Sequence, residues 1–387
     1  MIDLHALTQR FLTLYDVQPR IFRAPGRVNL IGEHTDYNDG FVLPMAIDRG
    51  TVVAGAKRGD RHVRVHSLNF NESAEFDLDR PGGRRRGIWL DYVEGIAQAL
   101  IRRGLRLTGA DLALTSDVAI GGGLSSSAAL EMSVGTALLG ISGEEMDRVT
   151  LALAGQEAEH NYVGMKCGIM DQFIAALGKS EHALLIDCRK LEGTLIPLAI
   201  KDMRVVVCDT RVKHALASSE YNNRRAECEE GVAILKESLP GIRALRDVGW
   251  TDFDRLQERL PEVVRKRCRH VVSENERTLS AVKALQDGDA AEMGRLMAAS
   301  HRSLRDDYSV SCKELDVLVE SAQSVPGVVG ARMTGGGFGG CTVNLVHKDA
   351  LEQFRETITR DYLIETGNEA LVLPVESSDC AAEIVSR

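Results

Sequence analysis

The chain has 387 residues, of which 44% are hydrophobic and 27% are charged, and this composition is typical of a folded globular protein with a large core. Its formal net charge of -9 argues against a general electrostatic affinity for nucleic acid, which depends on lysine and arginine neutralising phosphates. We therefore expect no nucleic-acid partner.

The beginning of the chain and its cysteines bear on location. Residues 1–19 mix Asp3, His5 and Arg10 with helix-spaced apolar residues and lack the apolar core of a signal peptide. No stretch approaches the roughly eighteen apolar residues that a membrane span requires. The 8 cysteines are scattered without a CxxC pair, which favours reduced thiols over a disulfide framework or a zinc site. We expect a cytoplasmic protein without a membrane partner.

Strand and helix signals alternate through the first half of the chain. Val63 and Val65 alternate with polar residues, which is the period of a strand with one buried face. Helical spacing is clear in "WLDYVEGIAQALIRRG", where Gly104 is a plausible stop. Other segments predict strands at 109–120, 182–188 and 203–210 and helices at 125–140 and 143–164.

The second half is different in character. Long charged helical stretches begin with 218–238, and the segment 328–346 predicts two strands around a glycine-rich turn. This change suggests an α/β protein of two units, with a division near residue 200 that gives an N-terminal unit 1–200 and a C-terminal unit 201–387. No Pro/Ser-rich linker marks the boundary.

Charged residues are concentrated in "GRVNLIGEHTDYNDG", at 26–40. Val28, Leu30 and Ile31 supply the apolar face of a strand, and the pattern becomes loop-like beyond Gly32. One interpretation is a strand that ends in a solvated turn. The other is a polar pocket for a hydroxyl-rich ligand, because carboxylates, imidazole and guanidinium offer the converging donors and acceptors that such a ligand needs.

A second candidate site is the glycine- and serine-rich segment "GGGLSSSAALE", at 121–131. Its glycines allow the backbone to approach an anion closely, and its serines are expected to cap a helix whose N-terminus favours phosphate. It is not a Walker A loop, because no lysine precedes the hydroxyl. The alternative is a tight turn that enters a capped helix without binding a ligand.

Two acids follow in "EAEHNYVGMKCGIMDQF", at 157–173. Glu159 could complete a magnesium site with a serine hydroxyl and substrate phosphate oxygens, and Asp171 follows a glycine-containing turn. Either acid alone would more often be a surface carboxylate. Their joint occurrence with the two preceding segments favours a site.

These segments, together with "GARMTGGGFGGCTVNLV", resemble in order and character those of galactokinases, members of the galacto-, homoserine, mevalonate and phosphomevalonate (GHMP) kinase superfamily. The resemblance spans nearly the whole chain. It implies an α/β (α+β) molecule of two domains, with helices packed on mixed sheets and the active site in the cleft between the domains. It also implies transfer of the ATP γ-phosphoryl group to the anomeric hydroxyl of α-D-galactose with Mg2+ as cofactor, and a monomer.

Carried over to this sequence, the resemblance implies the following site residues. The catalytic pair is Arg27 and Asp171, and the magnesium ligands are Ser127 and Glu159. The sugar contacts are Glu33, His34, Asp36, Gly168 and Tyr221, of which Asp36 and Tyr221 are the candidates for recognising the axial C4 hydroxyl. The ATP contacts are Gly121, Gly122, Gly123, Ser125 and Ser126, with Gly335, Gly336 and Gly337 in the late turn.

Two other functions remain open at this point. The same fold could phosphorylate N-acetylgalactosamine or another sugar, because sequence does not measure the room beside the C2 position. It could also bind galactose and ATP without catalysis, as a sensor that regulates a partner. The intact "GLSSSAA" segment and Asp171 argue against the sensor.

Overall fold

The computed structural model describes residues 2–80, 85–200, 202–213 and 217–384. In chain order the helices are α1 (Leu4–Tyr15), α2 (Leu90–Arg102), α3 (Ser126–Ser142), α4 (Arg148–Ala158), α5 (Met170–Leu177), α6 (Ala217–Lys236), α7 (Trp250–Leu256), α8 (Glu262–Asp287), α9 (Ala290–Asp306), α10 (Lys313–Gln323) and α11 (Leu351–Thr366). The strands are β1 (Arg20–Asn29), β2 (Phe41–Val42), β3 (Pro44–Lys57), β4 (His62–Ser67), β5 (Glu72–Asp77), β6 (Ala110–Ser116), β7 (His182–Asp187), β8 (Glu192–Pro197), β9 (Met203–Lys213), β10 (Val328–Thr334), β11 (Gly339–His347), β12 (Leu371–Val375) and β13 (Ala382–Ile384).

The strands form sheets of six, four and three strands. The six-stranded sheet has the order β13-β1-β3-β6-β4-β5 and is mixed, because β4 and β6 are parallel while the other neighbours are antiparallel. The four-stranded sheet has the order β10-β11-β9-β12, and the three-stranded sheet has the order β2-β7-β8. The mixed α/β class expected from the sequence is confirmed.

The last strand crosses between the two halves of the chain. Strand β13 pairs with β1 in the register Ile21↔Ile384, so the end of the chain completes the edge of the first sheet. The division into 1–200 and 201–387 stays a prediction, and β13 lies in the sheet of the first unit.

Two apolar cores position the site. One lies between the six-stranded sheet and α2–α5, with Val65 and Leu112 of the sheet facing Val93, Leu138 and Phe173 of the helices. The other lies at the junction of the two halves and joins residues of β1 and β3 to α8, α9 and the four-stranded sheet. Because this second core continues from one half into the other, the loops at the junction rest on closely packed side chains.

The segments predicted as helices and strands are found with small differences in their ends. Helix α2 ends at Arg102, and Gly104 has a φ of +87°, as the helix-stop argument requires. The helix predicted over 143–164 begins only at Arg148, where the Asp147 side chain accepts from the Thr150 amide. It then changes to a π-helical turn over Glu159–Val163. Within the described residues, no helix combines the length and the apolar character that a membrane span needs.

Candidate active site

Arg27 and Asp171 form a partly buried ion pair in a cleft. The Arg27 Nε atom donates to Asp171 Oδ1 at 2.9 Å, and its terminal nitrogen donates to Oδ2 at 2.8 Å. The arginine side chain is 5% exposed, while the aspartate keeps 28% exposure and can therefore reach a ligand. Two parallel charge-assisted bonds fix the orientation of the carboxylate.

The backbone around Arg27 explains how the arginine reaches this point. The pairing of β1 with β3 shifts register between Pro25 and Arg27, which is a bulge that redirects the following side chain. At Gly26 a Cβ atom would lie 2.8 Å from the Leu124 carbonyl oxygen, so the 121–125 loop can cross β1 only over a glycine. The Arg27 amide then donates to that same Leu124 carbonyl.

The predicted role of Ser125 as a helix cap is wrong. Ser125 precedes α3 with φ +62° and makes no capping hydrogen bond; its hydroxyl donates instead to Asp171 Oδ2. Serine favours capping in general, but capping needs an extended backbone, and this residue has a left-handed one. The serine therefore adds a donor to the Arg27–Asp171 pair.

The two glycine-rich turns pack against each other. Gly123 and Gly335 both have positive φ, and a Cβ atom on Gly335 would lie 2.8 Å from the Gly123 carbonyl oxygen. Gly340 approaches the Gly122 carbonyl oxygen in the same way, at 3.2 Å from its notional Cβ. Backbone groups of both turns thus lie side by side at the N-terminus of α3, where the helix dipole favours an anion.

The loop after β1 presents Glu33 and His34 to the same cleft. The Glu33 carboxylate accepts from the Gly335 amide at 2.7 Å, and burial raises its pKa although Arg332 opposes this. His34 is 4% exposed, and burial together with nearby His270 lowers its pKa to about 3. The imidazole is therefore neutral at physiological pH.

Asp36 is a half-buried carboxyl that pairs with no cationic side chain among the described residues. Burial, reinforced by the negative charges of Asp171 and Glu33, raises its pKa to about 7, although the Tyr37 amide donates to it at 3.0 Å. Gly168 lies directly against this carboxyl, since a Cβ atom there would come within 1.8 Å of Asp36 Oδ2. Any side chain at 168 would displace Asp36.

Ser127 and Glu159 meet on another wall of the cleft. Glu159 is 5% exposed, and burial raises its pKa to about 7 although a hydrogen bond from the Ser127 hydroxyl opposes this. A buried carboxyl with a raised pKa and a hydroxyl beside it form a donor set that suits a hard divalent cation. No group of three or more His, Cys, Asp or Glu residues that could hold a metal occurs in the described part of the chain, so a cation bound here would need phosphate or water oxygens as further ligands.

The structure brings the residues named from the sequence into one cleft of about 260 Å³. The exceptions are Gly122 and Gly337, which are absent from its lining; Gly337 packs against Val310 instead. The lining residues that sequence reasoning missed are Tyr92, Met165, Cys167 and Met170. The last three flank Gly168 within the quoted 157–173 segment and could have been noticed there, whereas Tyr92 belongs to α2 and carried no signal.

A second, more apolar cleft of about 310 Å³ adjoins the first. The two share Tyr92, Gly121, Ser126 and Ser127. Its other lining residues include Phe70, Trp89, Ile120 and Leu130. Phe70 and Ile120 are 46% and 49% exposed, so apolar surface faces solvent beside the glycine-serine loop.

Comparison with protein families gives three matches along the chain. Residues 9–57 match the galactokinase galactose-binding signature, residues 91–179 match the GHMP kinases N terminal domain, and residues 281–364 match the GHMP kinases C terminal domain. The segment 26–40 lies inside the first match, and Gly335, Gly336 and Gly337 lie inside the third.

Whole-chain relatives agree with these matches. The chain is 53% identical to a galactokinase of Chloroflexus aggregans over 95% of this chain and 94% of that protein, and 48% identical to a galactokinase of Roseiflexus sp. over 100% and 98%. Its structure matches Lactococcus lactis galactokinase complexed with galactose, with a TM-score of 0.96, 37% identity and coverage of 98% and 100%. Methanococcus jannaschii mevalonate kinase, at 17% identity over 94% and 99% with a TM-score of 0.66, shares the fold. The chain belongs to the galactokinase family of the GHMP kinases.

Proposed function

We propose that this chain is a kinase that transfers the γ-phosphoryl group of ATP to the anomeric hydroxyl of α-D-galactose, the first committed step of galactose breakdown. The products are α-D-galactose 1-phosphate and ADP. The observation that carries the proposal is the Arg27–Asp171 pair, which shares one cleft with the polar loop of Glu33, His34 and Asp36 and with the glycine- and serine-rich segment 121–127. ATP and the sugar hydroxyl can therefore meet beside Asp171, which can accept the proton that the hydroxyl loses.

Phosphoryl transfer asks little covalent chemistry of a protein, which mainly aligns the reactants and stabilises charge. The sugar O1 atom forms a bond to the γ-phosphorus while the bond from that phosphorus to the β–γ bridging oxygen breaks. Asp171 accepts the O1 proton or orients it, and the Ser125 hydroxyl and Arg27 stabilise the carboxylate. Arg27 also offers positive charge to the developing phosphoryl oxygens.

On the sugar side, Glu33, His34, Asp36 and Tyr221 provide acceptors and donors around one small cleft. An ionised carboxylate has two acceptor oxygens, so Asp36 can accept hydrogen bonds from two neighbouring sugar hydroxyls. The charged form of Asp36 is costly in this surrounding, and donors from a bound sugar would offset that cost. Such a pocket discriminates against epimers because a misplaced hydroxyl leaves a buried acceptor unpaired.

On the nucleotide side, we assign the adenine ring to the apolar cleft of Phe70, Trp89 and Ile120. A base bound there would lead its phosphates past Ser126 and Ser127 to the two glycine turns, because the clefts share these serines. The N-terminus of α3 then faces the phosphate charge. Ser127 and Glu159 would hold Mg2+, which when bound neutralises phosphate charge.

The cysteines support a reducing, cytoplasmic location for this kinase. All eight are free thiols in the described part of the chain, and five of them are buried. We further propose that the chain works as a monomer, as the resemblance to galactokinases implies.

The test is ATP turnover on galactose, N-acetylgalactosamine, glucose and mevalonate, with the phosphorylated position read by NMR. We expect ADP release only with galactose and phosphate on its C1 oxygen. Turnover on N-acetylgalactosamine at a similar rate would replace the substrate assignment by a broader sugar 1-kinase. Binding of galactose and ATP without turnover would replace catalysis by sensing.

A further inference from the structure

A line of hydrogen bonds runs from the sugar-side loop into the helical half of the molecule. The His34 Nδ1 atom lies 2.7 Å from the Tyr37 hydroxyl oxygen, which in turn lies 2.8 Å from the Tyr308 hydroxyl oxygen. The Cys228 Sγ atom lies 3.1 Å from the Tyr308 hydroxyl. At the other side of the ring, His34 Nε2 lies 3.2 Å from the carbonyl oxygen of Gly336. The line thus connects the sugar loop to the late glycine turn.

The partners fix the position of each proton in this line. A carbonyl oxygen only accepts, so His34 Nε2 must carry the hydrogen that it donates to Gly336. His34 is neutral, because burial lowers its pKa to about 3, and its Nδ1 atom is then an acceptor. The Tyr37 hydroxyl consequently donates to Nδ1, and the Tyr308 hydroxyl donates to Tyr37. Reversing any one bond would leave two donors or two acceptors facing each other.

Ring packing holds the same side chains in place. The His34 and Tyr308 ring centroids are 4.8 Å apart, and the ring centroid of His270 in α8 lies 4.5 Å from that of Tyr308. The Tyr37 ring lies 5.4 Å from that of Tyr221, which lines the cleft. Tyr308 is fully buried, so neither its ring nor its hydroxyl has water as an alternative partner.

We propose that Tyr37 and Tyr308 are positioning residues that hold His34 as the neutral Nε2–H tautomer. His34 then donates through Nε2 to the Gly336 carbonyl and accepts at Nδ1 from Tyr37, so both ring nitrogens are bonded within the protein and the ring is held at the wall of the sugar cleft. The effect on galactose affinity rests on the proposed function, whereas the tautomer does not. Neither tyrosine is among the residues that line the cleft, so both act through His34.

The tautomer can be measured without catalysis. In protein labelled with 15N-histidine and free of sugar, the His34 signals, assigned by their loss in His34→Gln, should show a protonated Nε2 and a hydrogen-bonded, unprotonated Nδ1. Tyr37→Phe should shift the Nδ1 signal. Tyr362→Phe is the matched control, because its buried hydroxyl donates to the Thr210 carbonyl at 2.9 Å, outside this line. A proton on Nδ1 in the unchanged protein would overturn the inference.

Kinetics supply the second readout. Tyr37→Phe should raise the galactose KM about tenfold and change kcat less than about threefold, because one buried acceptor loses its donor while the reacting groups are intact. Tyr308→Phe should raise KM by about threefold, since Tyr37 can still donate to His34. Tyr362→Phe should leave KM unchanged. Equal effects of all three substitutions would show a general loss of stability and overturn the positioning role. If the unchanged protein failed to phosphorylate galactose but showed the tautomer, only the proposed function would fall.

Discussion

Asp36 and Asp171 lie in the same cleft in opposite electrostatic surroundings. Asp171 receives two bonds from Arg27 and one from the Ser125 hydroxyl, so the protein itself compensates its charge. In the part of the chain that the structure describes, Asp36 has no such cation, and burial together with the charges of Asp171 and Glu33 raises its pKa to about 7. The difference teaches that one aspartate is prepared for a reaction, whereas the other is prepared for a ligand whose hydroxyls supply the missing donors.

The largest expected effect is on the reaction rate and comes from removing the charge of Asp171. Asp171→Asn keeps the size of the side chain but cannot accept a proton, so the single-turnover rate with saturating galactose and MgATP should fall about a hundredfold to ten-thousandfold. A smaller loss would favour a positioning role for Asp171. Full activity would contradict its catalytic assignment.

Substitution of Arg27 removes the other partner of the ion pair. Arg27→Met should also slow single turnover, and the double variant Arg27→Met/Asp171→Asn should be clearly less impaired than the product of the two single losses, because the two groups act as a unit. Single-turnover rates of the four proteins measure the coupling. Strictly multiplicative losses would refute a coupled pair.

A third carboxyl in the cleft, that of Glu159, is expected to affect Mg2+ binding. Glu159→Gln should raise the Mg2+ concentration for half-maximal rate by at least about tenfold while leaving galactose affinity within about twofold, since Glu159 faces Ser127 rather than the sugar loop. Glu157→Gln is the control: it lies two residues earlier, and its carboxylate pairs with Arg102 at 2.7 Å. Loss of galactose affinity in Glu159→Gln would indicate a structural role instead.

The smallest expected effect is on stability and concerns Asp36. Its pKa is raised in the folded state, so the folded protein binds an extra proton between about pH 4 and pH 7, and the stability that this proton contributes is lost as pH rises through that window. Asp36→Asn cannot ionise and keeps an acceptor for the Tyr37 amide. Its free energy of unfolding at pH 8 should exceed that of the unchanged protein by about 2 kcal/mol, roughly half of the full shift because Asp36 is partly exposed. Denaturant unfolding should show this gain shrinking toward pH 4; a gain that does not depend on pH would contradict the account.

Much of the molecule could be predicted from local patterns. The alternation of polar and apolar residues around Val63 and Val65 predicted strand β4. The segments on either side of the glycine turn at 335–337 were predicted as strands, and they form β10 and β11. Most residues that line the cleft follow from the resemblance to galactokinases, which short segments such as 26–40, 121–131 and 157–173 carry. The strand and the turn share one physical basis, which is that alternation and turn signals depend on neighbours in the chain.

The features that could not be predicted depend on distant contacts. Ser125 does not cap α3 because its left-handed backbone turns the hydroxyl to Asp171, 46 residues away. Tyr308 reaches Tyr37 across 271 residues, and β13 pairs with β1 across nearly the entire chain. Local propensity contains no information on such partners, so the tyrosines and the edge strand appear only in the folded molecule.

One measurement tests the contrast between the two aspartates most directly: calorimetric titration of Asp36→Asn and Asp171→Asn with galactose. We predict that Asp171→Asn binds galactose within about threefold of the unchanged protein, because the sugar still docks, and that Asp36→Asn binds it at least about tenfold more weakly, because an ionised acceptor is lost. Equal losses in the two variants, or the larger loss in Asp171→Asn, would contradict the division of labour between a reacting and a recognising carboxyl.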